Sequence, residues 1–236
     1  MPMHDITELP PWDRLLKKIV WKQLGEIAGK RILDFGSGEG ITANHFADQN
    51  KVTAVEPSEE MLRNRWDDYQ YEQIVGDVSK LSEFESESFD LIICHNALEY
   101  IDEKELVVRE LCRLLKVGGT LSIVKHNRAG RVMQMAVLLD DMEKANDLLD
   151  GKDGSSSQFG PIRYYEDEQI AKWNQGLKLL DTFGIRTFWH LQQNQEKHGT
   201  QGWQTQMMQL EMRVSQMEEY RNIALFHHLL FRKEGQ

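Results

Sequence analysis

The chain has 236 residues, of which 40% are hydrophobic and 28% are charged, a balance typical of one globular domain with a sizeable core. A formal net charge of −10 argues against a surface that binds nucleic acid or anionic membranes in general, although it allows a local basic patch. The two cysteines predict no disulfide framework, and the lack of a signal-peptide pattern or a membrane-length apolar run predicts a cytoplasmic protein with no membrane partner.

The first half of the chain alternates strand patterns with helix patterns. Apolar residues at helical spacing predict a leading helix over 12–27. Predicted strands follow at 31–35, 52–56, 72–75, 89–94 and 121–125, with helical patterns at 42–48, 57–66 and 103–115. Strands that alternate with helices predict a doubly wound, mostly parallel sheet of the Rossmann-like α/β class.

This alternation changes after residue 125. The Met- and Leu-rich stretch 130–150 is predicted to be helical, 151–160 to be a flexible loop and 166–180 to be a helix. Predicted strands at 184–191 and 223–232 then flank a predicted helix at 203–219. We therefore expect an N-terminal arm and helix over 1–28, followed by one domain over 29–236 with a helical cap inserted at about 127–165.

A glycine-rich loop follows the first predicted strand, and the spacing of its glycines can be compared with two phosphate-binding patterns. A phosphate-binding P-loop needs Lys and then Ser or Thr after its last glycine, whereas Ile41 and Thr42 follow Gly40. The dinucleotide pattern G-x-G-x-x-G needs a glycine where Ile41 stands, because the loop reads Gly36-x-Gly38-x-Gly40. Both phosphate-binding interpretations are therefore weak.

The carboxylates around this loop favour a cationic ligand. Asp34 precedes the glycines, Glu56 ends the second predicted strand and Asp77 follows the third, without a matching lysine. This arrangement resembles that of the class I S-adenosylmethionine-dependent methyltransferases, whose cofactor carries a sulfonium and an ammonium but no phosphate. The resemblance implies a seven-stranded sheet with an antiparallel C-terminal strand. It also implies that the loop contacts the methionine and ribose portions, that Glu56 accepts hydrogen bonds from the ribose, and that Asp77 reaches the adenine amino group.

A narrower resemblance reaches beyond residue 125. Segments 89–100, 125–135, 184–191 and 210–220 resemble the bacterial tRNA 5-carboxymethoxyuridine methyltransferases, which esterify a carboxylate on a modified wobble uridine. It implies methyl transfer by in-line displacement to such a tRNA carboxylate. The alternative is a methyltransferase for a small metabolite with an oxygen or nitrogen acceptor, which the acidic net charge favours slightly. A non-catalytic protein that keeps the fold for docking is the third hypothesis, and the intact motifs disfavour it.

The predicted site residues fall into three groups. Cofactor binding is assigned to Arg14, Asp34, Gly36, Ser37, Gly38, Glu56, Pro57, Asp77, Val78 and His95. Catalysis is assigned to His95 and Arg186, and substrate binding to Asn127, Arg128, Arg163 and Tyr164. Cationic and neutral donors suit an anionic acceptor, and a carboxylate needs no base because it is already ionised at neutral pH.

Several alternatives stay open for these residues and for the assembly. His95 would contact the cofactor through its ring or its backbone, or would simply be a histidine hydrogen-bonded at a strand end. For each arginine taken alone, a solvated surface position is favoured over a role in the site. No metal site is predicted, because the histidines lack ligand spacing. Monomer and dimer are both allowed.

Overall fold

The computed structural model describes residues 4–156 and 159–235. The main sheet contains β1 (Arg31–Phe35), β2 (Lys51–Glu56), β3 (Glu72–Val75), β4 (Phe89–His95), β5 (Leu115–His126), β8 (Leu177–Ile185) and β9 (Phe226–Lys233), while β6 (Gly154–Ser156) and β7 (Gly160–Ile162) pair separately. The helices are α1 (Pro11–Leu24), α2 (Ile41–Ala47), α3 (Glu59–Arg63), α4 (Lys104–Leu114), α5 (Arg128–Met133), α6 (Met142–Leu149), α7 (Gln169–Trp173), α8 (Gln201–Val214) and α9 (Glu218–Arg221).

The strand order of the main sheet is β3-β2-β1-β4-β5-β9-β8. Only β9 runs antiparallel to its neighbours among these seven strands, and it pairs with β5 on one side and β8 on the other. The predicted Rossmann-like, mostly parallel fold with an antiparallel C-terminal strand is therefore confirmed. Because the other six strands share one direction, their carboxyl ends and the start of β9 meet at a single edge of the sheet.

Side chains on β4 show how the sheet is covered on both faces. Ile92 and Cys94 pack into the cluster that contains α4, whereas Leu91 and Ile93 pack into the cluster that contains α2. Successive side chains of a strand point to opposite faces, so a strand buried on both faces reads as a continuous apolar run. This explains why the continuous apolar run at 89–94 predicts β4 so clearly.

Helix α1 covers the sheet above β5, β9 and β8. Pro11 occupies its first turn, where a missing backbone N–H costs little, and Gly25 ends it with φ +74°. Ile19 is fully buried in a cluster that also contains Val124 and Ile185. In the described part of the chain, no helix is long and apolar enough to cross a membrane.

Several predictions for the second half of the chain are wrong. The stretch 151–160, predicted as a loop, contains β6 and the start of β7, although residues 157–158 lie outside the described residues. Of the helix predicted over 166–180, only α7 forms, and the strand predicted at 184–191 is instead β8, which ends at Ile185. Pairing with β9 decides this region, because β8 is an edge strand with exposed apolar residues that read like a helix face.

Candidate cofactor and acceptor site

The glycine loop lies between β1 and α2 at the carboxyl edge of the sheet. Gly36 has φ +75°, and a Cβ at this position would lie 2.6 Å from the Cβ of Ala97. Gly40 adopts a left-handed conformation and is the N-cap of α2. Side chains are excluded at Gly36 by both backbone conformation and space, so the loop backbone can approach a ligand closely.

Glu56 and Asp77 hold fixed positions beside the loop. The buried Glu56 carboxylate accepts hydrogen bonds from the backbone N–H of Gly38 at 2.8 Å and from that of Ser58 at 2.9 Å. Asp77 is exposed and accepts a hydrogen bond from the N–H of Ser79 at 2.9 Å, which lowers the pKa of Asp77. The structure thus places both predicted carboxylates at the carboxyl ends of β2 and β3.

Asp34 is the penultimate residue of β1 and is buried, and its Oδ2 oxygen lacks a hydrogen-bond partner. Burial raises the pKa of Asp34 to about 7, while the positive charge of Lys17 opposes that rise. Ser37 Oγ and Asn96 Oδ1 are also buried without a partner at this edge. Buried polar atoms are normally hydrogen-bonded, so this group of atoms fits the polar methionine and ribose portions of S-adenosylmethionine.

Arg14, which was predicted to bind the cofactor, contacts the segment that precedes α1. Its guanidinium donates to the carbonyl of Leu9 at 3.5 Å and lines a cavity between α1 and α8. Lys17, further along α1, donates to Thr42 Oγ1 of α2 at 3.2 Å and acts electrostatically on Asp34. Lys17 is therefore an α1 cation close to the loop. It was not assigned from the sequence, because the direction of its side chain depends on how α1 packs.

The remaining predicted cofactor residues flank the same edge. Pro57 is exposed directly after β2, and Val78 begins a 3-10 turn after Asp77 and packs in part against the core. His95 ends β4, and its ring Nε2 lies 2.7 Å from Ser122 Oγ of β5. Burial lowers the pKa of His95 well below its usual value, so the ring is neutral at pH 7.

Arg186 directly follows β8 and is only 8% exposed. Its guanidinium lies 5.4 Å from the ring centre of Trp12 and 5.6 Å from that of Phe226. Burial lowers the pKa of Arg186 to about 10, so it stays charged at neutral pH. Its Nε is buried without a partner, and although the charges of Glu211 and Asp13 act on Arg186, no carboxylate among the described residues forms an ion pair with it. Its left-handed backbone, φ +61°, is a strained conformation that commonly marks functional positions.

Glu211 of α8 holds the loop that follows Arg186. Its fully buried carboxylate accepts hydrogen bonds from the backbone N–H groups of Thr187, Phe188 and Trp189 at 2.8, 2.9 and 3.0 Å. These three bonds satisfy much of its hydrogen-bonding capacity. Glu211 therefore orders the loop without neutralising Arg186 through a direct ion pair.

Two titratable residues lie between the ends of β4 and β8. Glu99 Oε1 accepts a hydrogen bond from the N–H of His126 at 3.3 Å, while Oε2 is buried without a partner. Burial raises the pKa of Glu99 to about 7, and burial together with Arg131 lowers the pKa of His126 to about 3. The His126 ring lies 4.6 Å from Phe226, the residue that also contacts Arg186. Sequence reasoning did not assign either residue to the site.

The other predicted substrate-binding residues make contacts within the protein. Asn127 donates to the carbonyls of Asn222 and Ala224 at 2.9 and 2.8 Å. Arg128 donates to two carbonyls of the α6 region and lies over the ring of Tyr164 at 4.6 Å, and Arg163 pairs with Asp102 at 3.1 Å. The structure therefore does not bring these arginines together with Arg186 as a set of open cations. Tyr164 keeps a buried hydroxyl without a partner.

Within residues 4–156 and 159–235, no group of three or more His, Cys, Asp or Glu side chains could hold a metal ion. The two neighbouring histidines of β9 face opposite sides of the sheet. His227 contacts Asp167 at 2.7 Å, whereas His228 contacts Ser122 at 2.8 Å. Alternation along the strand accounts for this separation.

Comparisons with known proteins agree with this geometry. Residues 33–123 match the model of a methyltransferase domain. The ubiquinone biosynthesis O-methyltransferase of Pseudomonas entomophila is 28% identical over 195 residues, covering 78% of this chain and 77% of that protein. The enzyme of the same name from Xanthomonas oryzae pv. oryzae is 30% identical over 119 residues, covering 48% of this chain and 50% of that protein.

Solved structures share the fold over almost the whole chain. An S-adenosylmethionine-dependent methyltransferase from Mesorhizobium loti has a TM-score of 0.58 at 16% identity, covering 97% of this chain and 100% of that one. One from Methanosarcina mazei has a TM-score of 0.57 at 16% identity, covering 91% of this chain and 97% of that one. With its matching methyltransferase domain at residues 33–123, the chain is an S-adenosylmethionine-dependent methyltransferase.

Proposed function

We propose that this enzyme transfers a methyl group to an oxygen of a small anionic molecule. The observation that carries the proposal is Arg186, a buried cation between two aromatic rings with no carboxylate partner among the described residues. A buried charge is costly unless it is paired, so this guanidinium is built to receive an anion. The ubiquinone biosynthesis O-methyltransferases among the relatives support an oxygen acceptor on a small molecule.

The cofactor side of the proposed site comprises the glycine loop and the ends of β1 to β4. Glu56 would accept hydrogen bonds from the ribose hydroxyls, and Asp77 would accept one from the adenine amino group. Lys17, rather than Arg14, would face the methionine carboxylate, because it is the α1 cation beside Asp34. When bound, S-adenosylmethionine supplies an electrophilic methyl group, and the residues of the chain orient it toward the acceptor.

The acceptor side lies above β5, β9 and β8. Strand order separates His95 on β4 from Arg186 after β8 by three strand spacings, or about 14 Å between their backbones at about 4.8 Å per strand. An acceptor that reaches both side chains would therefore be the size of a substituted aromatic acid. The anion at Arg186 would be one of two groups of the acceptor. It would be the carboxylate that receives the methyl group, as predicted from the sequence, or a second group that is not methylated.

A tRNA acceptor is the second candidate. Two of the segments that resemble the tRNA-modifying family, 184–191 and 210–220, meet beside Arg186, where Glu211 accepts hydrogen bonds from the backbone of residues 187–189. The net charge of −10 weighs against it, because tRNA binding depends on neutralising phosphates.

Transfer of a labelled methyl group separates these candidates. Purified enzyme would be incubated with methyl-tritiated S-adenosylmethionine and either a panel of hydroxybenzoates or total bacterial tRNA. We expect label in a small acid, a rise of at least tenfold in its KM for Arg186→Met, and little change for Arg163→Met, which removes an arginine already paired with Asp102. Label in tRNA alone would overturn the small-molecule proposal.

A further inference from the structure

Three side chains form a continuous chain of hydrogen bonds behind His95. His95 Nε2 lies 2.7 Å from Ser122 Oγ, and Ser122 Oγ lies 2.8 Å from His228 Nε2. His228 Nδ1 then lies 2.7 Å from Gln23 Oε1 on α1. Ser122 and His228 are both fully buried, so water cannot substitute for a missing partner. The chain joins β4, β5, β9 and α1.

The chemistry of the terminal amide sets the direction of every bond in this chain. With Gln23 Oε1 facing the ring, the carbonyl oxygen accepts and His228 Nδ1 carries the proton. Burial lowers the pKa of His228 to about 3, which keeps the ring neutral and leaves its Nε2 as an acceptor for the Ser122 hydroxyl. The Ser122 oxygen then accepts from His95, which places the proton of the neutral His95 ring on Nε2.

The other ring nitrogen of His95, Nδ1, consequently carries a lone pair and no proton. Nδ1 has no hydrogen-bond partner in the described part of the chain and is not among its fully buried unpaired atoms. A lone pair repels a carboxylate, whereas it accepts a hydrogen bond from a hydroxyl.

We propose that Gln23, Ser122 and His228 form a positioning relay that fixes His95 in its Nε2–H tautomer, so that Nδ1 accepts the proton of a hydroxyl acceptor. This proposal rests on the proposed function and deepens it, because the anion at Arg186 is then an anchoring group and the substrate is a hydroxy acid. With S-adenosylmethionine bound, the acceptor oxygen would bond to the methyl carbon as the carbon–sulfur bond broke, and that bonding pair would stay on sulfur. Nδ1 of His95 would take the hydroxyl proton and later release it to solvent, so the positive charge of the sulfonium would leave as that proton.

The tautomer is directly measurable in the full-length protein without any acceptor. Two-bond proton–nitrogen correlation spectra of protein labelled with ¹⁵N-histidine distinguish protonated from bare ring nitrogens, and a His95→Gln variant assigns the signal. We expect the proton on Nε2 of His95 and on Nδ1 of His228. A proton on Nδ1 of neutral His95 would overturn the proposal, since it would mean that the Gln23 amide is reversed.

Variants of Ser122 test whether the relay does the positioning. Ser122→Ala removes the linking hydroxyl, so we expect a mixed His95 tautomer and a kcat about tenfold lower, with little change in the KM for the cofactor. Ser122→Thr keeps the hydroxyl and should restore both values. An unchanged His95 spectrum in a folded Ser122→Ala protein would show that the relay does not set the tautomer.

The labelled product of the methyl-transfer assay tests the acceptor group separately. A methyl ether resists mild alkali, whereas a methyl ester releases its label as methanol. We expect an alkali-stable product. An alkali-labile product would overturn the hydroxyl assignment but leave the proposal of an anionic small-molecule acceptor intact. An alkali-stable product together with an unchanged KM in Arg186→Met would overturn the anion-binding role of Arg186 but leave the hydroxyl assignment intact.

Discussion

The pH dependence of stability offers a sharp test of the buried histidine at the centre of the sheet. Burial lowers the pKa of His228 from 6.5 to about 3 in the folded state. Between these values the unfolded chain binds a proton that the folded chain does not, so this contribution to stability is complete above pH 6.5 and is lost as the pH falls toward 3. From pH 8 to pH 5 the loss is about 1.5 pH units at about 1.4 kcal/mol each, or about 2 kcal/mol.

The variant His228→Phe removes this titration while filling a similar volume. Urea unfolding followed by tryptophan fluorescence at pH 8 and pH 5 gives the free energy of unfolding of each protein. The drop between the two pH values should be about 2 kcal/mol smaller for the variant than for the wild type. Leu229→Ala on the same strand serves as a control, because it destabilises the core without removing a titratable group. Equal drops in wild type and His228→Phe would refute the argument.

Three further changes test the cofactor and acceptor sides. Gly36→Ala should weaken S-adenosylmethionine binding at least tenfold by calorimetry, because the new Cβ would lie 2.6 Å from that of Ala97. Glu56→Gln should raise the cofactor Kd by about 10- to 100-fold, since charge-assisted hydrogen bonds contribute about 1.5–3 kcal/mol each. Glu211→Ala should lower the free energy of unfolding by about 3 kcal/mol or more, as three buried N–H groups lose their acceptor. An unchanged Kd for either loop variant, or wild-type stability for Glu211→Ala, would contradict the geometry.

The cofactor half of the molecule was predictable because its signals are local. Strands buried on both faces give continuous apolar runs, and the glycine at position 36 is required by a backbone conformation that few other residues adopt. Glu56 is the last residue of its strand, so its position in the sequence gives its position at the edge of the sheet. These features need no knowledge of how distant segments pack.

The acceptor half depends on contacts between distant segments, which one sequence does not reveal. Asn127 was predicted to bind the substrate. In the structure its side-chain amide donates hydrogen bonds to the carbonyls of residues almost a hundred positions further along the chain. Lys17 and Arg14 lie on the same helix, and only the packing of α1 decides which faces the cofactor loop. The contact of His228 with Ser122 likewise depends on the pairing of β9 with β5, which joins segments about a hundred residues apart. The edge strand β8 was missed for the same reason.

The hydrogen bonds from the backbone of residues 187–189 to Glu211 affect how the acceptor specificity of this enzyme can change. Main-chain recognition is indifferent to side-chain identity, so the hydrogen bonds of Glu211 do not themselves restrict which side chains occupy these positions. Thr187 and Trp189 are buried, which restricts them to residues that pack, whereas Phe188 is only half-buried. Selection for a new acceptor could therefore act on a side chain beside the anion-binding arginine without disturbing the frame that carries it.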